Sequence, residues 1–188
     1  WSVPSELNIL YFVIWFPDRF NKNGIDLNRN FPDAFSKKES GMREMEVRAI
    51  MDWLKTESFV LSANLHGGAV VASYPYDNSN GVSCRVDPVF PDNDVLIQLA
   101  KTYSYTHSQM HKETTVHDSK DFKEGITNGY YWYPLPGGMQ DYNYVWGQCP
   151  EITLELVLLW KFPPESDLPG LWDANQAALL AYMQQVHL

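Results

Sequence analysis

The sequence predicts an α/β fold with a mixed, mostly parallel sheet flanked by helices. Two kinds of segment predict it. Apolar runs rich in β-branched and aromatic residues read as strands buried on both faces, as in parallel sheets. Segments with apolar residues at helical spacing fall between them. At 188 residues, 45% hydrophobic and 20% charged, the chain is globular and long enough for one domain with a real core, spanning 1–188.

The first strand is Leu7-Asn-Ile-Leu-Tyr-Phe-Val-Ile-Trp-Phe16, ended by Pro17-Asp18. A polar loop from Arg19 to Asn30 follows. Gly41 to Ser58 reads as an amphipathic helix with Val47, Ile50, Met51 and Leu54 on one face. Phe59-Val-Leu-Ser-Ala-Asn-Leu65 is a second buried strand, with His66 at its C-terminal end. Gly67-Gly68 allows a sharp turn into a third strand, Val70 to Tyr74. Asn78 to Pro91 is a surface loop. Asp92 or Asn93 caps a helix with Val95, Leu96, Leu99 and Tyr103 facing inward. Gln109 to Asn128 reads as a long loop of the kind that borders a site, and Ile126 to Tyr133 returns to the centre. Gly137-Gly138 opens a turn, and Glu151 to Leu158 is another buried strand. Pro169 opens the last helix, with Leu171, Ala174, Ala178, Leu179, Tyr182 and Val186 towards the core.

Net charge is −9 at pH 7, which argues against a nucleic-acid partner and suits cationic substrates. Cys84 and Cys149 permit one internal disulfide or two free thiols. Trp1-Ser-Val-Pro lacks the basic opening of a signal peptide, and the longest apolar run, Leu7 to Phe16, is too short to form a transmembrane segment.

Several residues invite chemistry, each beside a plainer reading. His66 follows a buried strand and precedes two glycines, the edge where open α/β sheets bind ligands; it is a ligand or a core histidine. Glu155 interrupts the apolar strand Ile152-Thr-Leu-Glu-Leu-Val-Leu-Leu159. A buried carboxylate is costly unless used, so Glu155 is functional or else faces water from an edge. Asn28 and Arg29 lie side by side between Gly24 and Pro32, and their planar donors suit a carboxylate. Arg19 and Arg29 read equally as solubilising charges. Tyr133 belongs to the aromatic cluster Tyr130-Tyr-Trp-Tyr133, and Asp77 and Gln140 read by themselves as turn residues. His66-Gly-Gly-Ala69 is also similar to the oxyanion turn of esterases. That chemistry needs a Gly-x-Ser-x-Gly elbow, and Gly81-Val-Ser-Cys-Arg85 fails at its last position.

Four strings decide among these readings: Gly24-Ile-Asp-Leu-Asn-Arg-Asn-Phe-Pro-Asp33, Asn64-Leu-His-Gly-Gly68, Gly137-Gly-Met-Gln-Asp-Tyr-Asn-Tyr144 and Glu151-Ile-Thr-Leu-Glu-Leu156. In this order and spacing the chain resembles the zinc metallocarboxypeptidases, specifically the regulatory branch with carboxypeptidases D, E, M and N. The resemblance runs from about Arg19 to the C-terminus. It implies a carboxypeptidase-like α/β/α fold. It also implies a zinc-dependent exopeptidase that removes C-terminal Lys or Arg from peptides and proteins in the secretory pathway. It assigns His66 as a zinc ligand, Glu155 as general base and acid, and Arg19 as the group polarising the scissile carbonyl. Asn28 and Arg29 would grip the terminal carboxylate, Tyr133 would close over the substrate, and Asp77 with Gln140 would select a basic side chain. The family's other two zinc ligands lie in a His-x-x-Glu motif. No His precedes His66, and no later His is followed by Glu at that spacing. The domain therefore reads as incomplete at its N-terminus, and a non-catalytic relative that binds peptide C-termini stands as the alternative.

Overall fold

A computed structural model describes residues 19–35, 41–79, 92–112, 122–158 and 161–187. Four strands, β1 (Ser62–His66), β2 (Val70–Tyr74), β3 (Ile126–Asn128) and β4 (Glu151–Leu156), form one sheet in the order β1-β4-β2-β3. β1 runs parallel to β4 and β3 parallel to β2, while β2 and β4 are antiparallel. Helices α1 (Met45–Thr56), α2 (Asn93–Thr106), α3 (Gly129–Trp132), α4 (Met139–Val145) and α5 (Leu168–Met183) complete the framework. This is the mixed α/β architecture that the alternating pattern predicts.

The period of two along β4 separates core from site. Ile152 and Leu154 are fully buried against Leu99, Ala100 and Tyr103 of α2 and Ala178 and Tyr182 of α5. The alternate positions, Glu151, Thr153 and Glu155, therefore point to the opposite face. A second apolar cluster lies around Phe31, Val47 of α1 and Tyr142 of α4, with Ile50, Met51 and Leu54 packed against it, as the helical pattern of that segment requires.

Several sequence expectations need correction. The strand expected at Phe59–Leu65 begins at Ser62 and is not buried on both faces. It borders the described sheet, and Leu65 is 52% exposed. Val95 points outward from α2 although its neighbours Leu96 and Leu99 are buried. Asp92 occupies the α2 N-cap position without a side-chain capping bond; its carboxylate accepts from the Tyr144 hydroxyl at 2.7 Å. On α5 Ala178 and Tyr182 are buried as expected, but they are joined by the polar Asn175, which accepts from the Tyr103 hydroxyl at 2.6 Å, while Val186 is exposed beyond the helix. The region read as a long loop contains β3, and the turn at Gly137-Gly138 leads directly into α4. The strand expected over Leu7–Phe16 lies outside the described residues, as does Cys84. Cys149 is a buried free thiol.

Glu151 opens β4 with its side chain fully buried. One oxygen accepts from Ser62 Oγ at 2.6 Å and Asn143 Nδ2 at 2.5 Å. Burial pushes its carboxyl up to about 7, although both hydrogen bonds pull the other way. From pH 4.5 to about 7 the folded chain keeps a proton that the unfolded chain has released, so stability falls as pH rises through that window. Glu151→Gln should reduce this fall by on the order of 3 kcal/mol. Urea midpoints at several pH values measure it. A variant curve parallel to the wild type would refute the assignment.

Candidate functional site

A cleft of about 180 Å3 opens on the polar face of the sheet. Six of the residues singled out in the sequence line it: Arg19, Asn28, His66, Asp77, Tyr133 and Glu155. The other two stand directly behind. Arg29 follows Asn28 and donates Nη1–H to its carbonyl at 2.7 Å. Gln140 Nε2 donates to Asp77 Oδ1 at 2.8 Å.

His66 ends β1 and Glu155 lies opposite it in register on β4, with β2 on the other side of β4. Glu155 is therefore central in the described sheet, not an edge residue facing water. It is 7% exposed, and its Oε2 is buried with no hydrogen-bond partner. Burial raises its carboxyl to about 7, while Lys161 and Arg19 pull it down. Burial also lowers the His66 imidazole, reinforced by Arg19, Lys161 and Arg29, so the ring is held neutral with a lone pair to offer.

Asn28 and Arg29 lie on a single 3-10 turn, Leu27–Arg29. Asp26 caps this turn by accepting the Asn28 N–H at 3.1 Å and also pairs with the Arg19 guanidinium. One acid thus ties Arg19 to the Asn28–Arg29 pair. Asn28 Oδ1 accepts the Met139 N–H at 2.8 Å, which fixes the amide so that Nδ2 is the end left for a ligand.

Asp77 follows β2 and is 6% exposed. Burial raises its carboxyl well above the carboxylate range, the neighbouring Asp141 adds to this, and Arg29 opposes it. Two glycines make its room. A Cβ on Gly129 would fall 1.8 Å from Asp77 Oδ1, and one on Gly138 would fall 3.3 Å from Oδ2. Tyr133 ends α3 at the rim, 41% exposed, its ring edge-on to Trp132.

Residues 11–178 match the zinc carboxypeptidase family. The chain belongs to that family. It is 53% identical over 172 residues to mouse carboxypeptidase M, covering 90% of this chain and 38% of that protein. It is 45% identical over 192 residues to the human carboxypeptidase N catalytic chain (90% and 41%), and 47% identical over 176 residues to Drosophila melanogaster carboxypeptidase D (90% and 12%). The chain thus spans less than half the length of these relatives. In fold it is similar to bovine thrombin-activatable fibrinolysis inhibitor in complex with a tick carboxypeptidase inhibitor, with TM-score 0.64, 20% identity, and 87% of this chain and 57% of that one covered. Carboxypeptidase A from Helicoverpa armigera is a second such fold, with TM-score 0.61, 18% identity, and 86% and 41% covered.

Membership in the zinc carboxypeptidases implies Zn2+ as the family's metal. Among the described residues no group of three or more His, Cys, Asp or Glu stands together as a metal site. The neutral His66 suits a metal, but one imidazole is not the three-ligand set of a catalytic zinc centre. The described residues therefore do not by themselves fit the metal.

Three participants escaped the sequence reading. Lys161 lines the cleft and acts on both Glu155 and His66. Asp26 and Asp141 hold other site residues. Asp26 carried a local signal, an Asp ahead of a short turn. Asp141 carried only its place beside Gln140, and Lys161 carried none. Gly129→Ala should cost about 2 kcal/mol or displace the Asp77 carboxyl, because the added carbon overlaps it. Chemical denaturation measures the loss; an unchanged midpoint would mean that Asp77 has spare room.

Proposed function

We propose that this chain carries the substrate grip of a zinc-dependent exopeptidase that removes C-terminal Lys or Arg from peptides and proteins. The supporting observation is one cleft lined by a cationic group, an amide, a buried acid and a near-neutral carboxyl. Arg29 and the Asn28 amide take the terminal carboxylate, which an internal peptide bond does not offer. This makes the site an exopeptidase site. The basic side chain reaches towards Asp77, whose charge in a partly dry pocket attracts it. Arg19, steadied by Asp26, meets the carbonyl oxygen of the last peptide bond and stabilises negative charge there. Glu155, at about 7, accepts a proton from the water that attacks the scissile carbonyl carbon and returns it to the amine nitrogen as the C–N bond breaks. Tyr133 covers the bound residue from the rim. The family resemblance implies the secretory pathway. No helix among the described residues is long and apolar enough to cross a membrane.

His66 is the one metal ligand in this reading, and hydrolysis needs ligands beyond it. The lone imidazole favours a second reading, in which the chain binds peptide C-termini without cutting them. Metal analysis with cleavage of an Arg-terminated peptide separates the two. Stoichiometric zinc with release of Arg supports the exopeptidase, and tight binding without zinc or cleavage supports the binder.

Both readings share a prediction. Arg29→Ala should weaken a free-acid peptide by roughly 2 kcal/mol, about 30-fold, while leaving its amide-capped form unchanged. Asp77→Asn should remove the preference for Arg over norleucine at the last position. Calorimetric titration measures both, and equal affinity of the wild type for the free-acid and amide forms would sink the proposed grip.

A further inference from the structure

Asp141 is buried at 2% exposure on α4 and, among the described residues, neither lines the cleft nor has an ion-pair partner. Both its oxygens bind main chain from the segment after β2. Oδ1 accepts the Asp77 N–H at 2.9 Å and Oδ2 accepts the Asn78 N–H at 3.2 Å. The preceding residue, Gln140, holds the Asp77 carboxyl through its Nε2. One turn of α4 therefore fixes Asp77 twice, by its backbone and by its side chain. The Asp77 carbonyl completes the clamp by accepting the Leu135 N–H at 2.8 Å, and the Asn78 side chain donates to Asp33 at 3.0 Å.

We propose that Asp141 is a positioning residue for side-chain selection: it holds the 77–78 backbone so that the Asp77 carboxyl faces a cationic C-terminal side chain. This rests on the reading of Asp77 given above. The residue type follows from the geometry. Two convergent N–H groups need two acceptor oxygens in one plane, which a carboxylate supplies. An Asn would set its NH2 against one of the two donors.

The arrangement puts two acids side by side in a dry interior, so they compete for protons. Burial raises Asp141 to about 7 against the pull of its two backbone donors, with Asp33 adding to the rise. Asp77 faces Asp141 and Glu151, which raise it, and Arg29, which lowers it; Tyr133 lies nearby at the rim. Below neutral pH the pair retains a proton, which must leave when a Lys or Arg side chain enters. Affinity for a basic side chain should therefore rise with pH through the neutral range, while affinity for norleucine should not.

The test uses the 188-residue chain and two free-acid peptides that differ only in a final Arg or norleucine. Binding is measured by calorimetry at about pH 5.5 and about pH 8, on either side of the shared titration. The wild type should prefer Arg more strongly at the higher pH. Asp141→Asn should lose that preference by about tenfold or more at both pH values, with norleucine affinity held within about twofold. Retained preference overturns the proposal. So does a preference that strengthens at acid pH, because removal of a mere like-charged neighbour would do that. If the variant does not fold, hydrogen exchange of the wild type decides. The Asp77 and Asn78 amides should exchange slowly, and exchange at exposed-loop rates overturns the proposal. A wild type indifferent to Arg, or an Asp77→Asn variant that keeps the preference, instead overturns the reading of Asp77 itself.

Discussion

The site depends on the join between two turns far apart in sequence, Leu27–Arg29 and Gly137–Met139. Phe31 N–H donates to the Gly137 carbonyl at 3.0 Å, and Met139 N–H donates to Asn28 Oδ1 at 2.8 Å. The approach is so close that a Cβ on Gly137 would lie 2.7 Å from the Arg29 carbonyl oxygen, at a φ of +73° that disfavours any side chain. This join fixes the turn that carries Asn28 and Arg29 and starts α4, and α4 carries Gln140 and Asp141, which bind Asp77. Asn28, Arg29 and Asp77 are thus referenced to one join, made by a backbone bond and by the Asn28 amide, and carried on to Asp77 by the Gln140 and Asp141 side chains.

The second constraint is electrostatic. The sheet turns one face, with Ile152 and Leu154, to a hydrocarbon core and the other, with Glu151, Thr153 and Glu155, to polar partners. An acid on such a face is desolvated by neighbouring helices and rises towards neutrality unless paired. The outcome at each position depends on what the fold supplies. Glu151 receives two neutral donors and stays structural. Asp141 receives two backbone N–H groups and becomes a clamp. Glu155 receives no hydrogen bond at Oε2, only the fields of Lys161 and Arg19, and rises to about 7 on the cleft wall. The same burial thus yields three roles, sorted by partners.

How much of this was legible follows the range of each signal. Apolar runs and helical spacing identify β2, β4, α1 and α2 because those patterns are local. The motif strings carried five of the eight site residues for the same reason, since Asn28 and Arg29 are adjacent and His66 sits beside its glycines; Arg19, Asp77 and Tyr133 lie outside the strings and came only from the family resemblance. What could not be read is tertiary. The Leu65 exposure reflects which strand borders the described sheet, a matter of topology. Asp26 and Asp141 act on residues brought near only by folding, and Lys161 reaches the cleft from beyond β4. The short helices α3 and α4 were missed because helices of four and seven residues show little period, and α4 follows a glycine pair that reads as a turn.

In the proposed reading, recognition and cleavage rest on different groups. The residues proposed to grip the substrate are each held by other residues of the chain: Arg29 and Asn28 by the turn contact, Arg19 by Asp26, Asp77 by Gln140 and Asp141. The chemistry differs, because a neutral His66 beside a near-neutral Glu155 supplies one ligand and one proton acceptor, and zinc catalysis requires a fuller coordination shell. Under that reading, affinity and selectivity rest on the contacts around Asn28, Arg29 and Asp77, whereas turnover depends on a coordination shell fuller than the His66 imidazole.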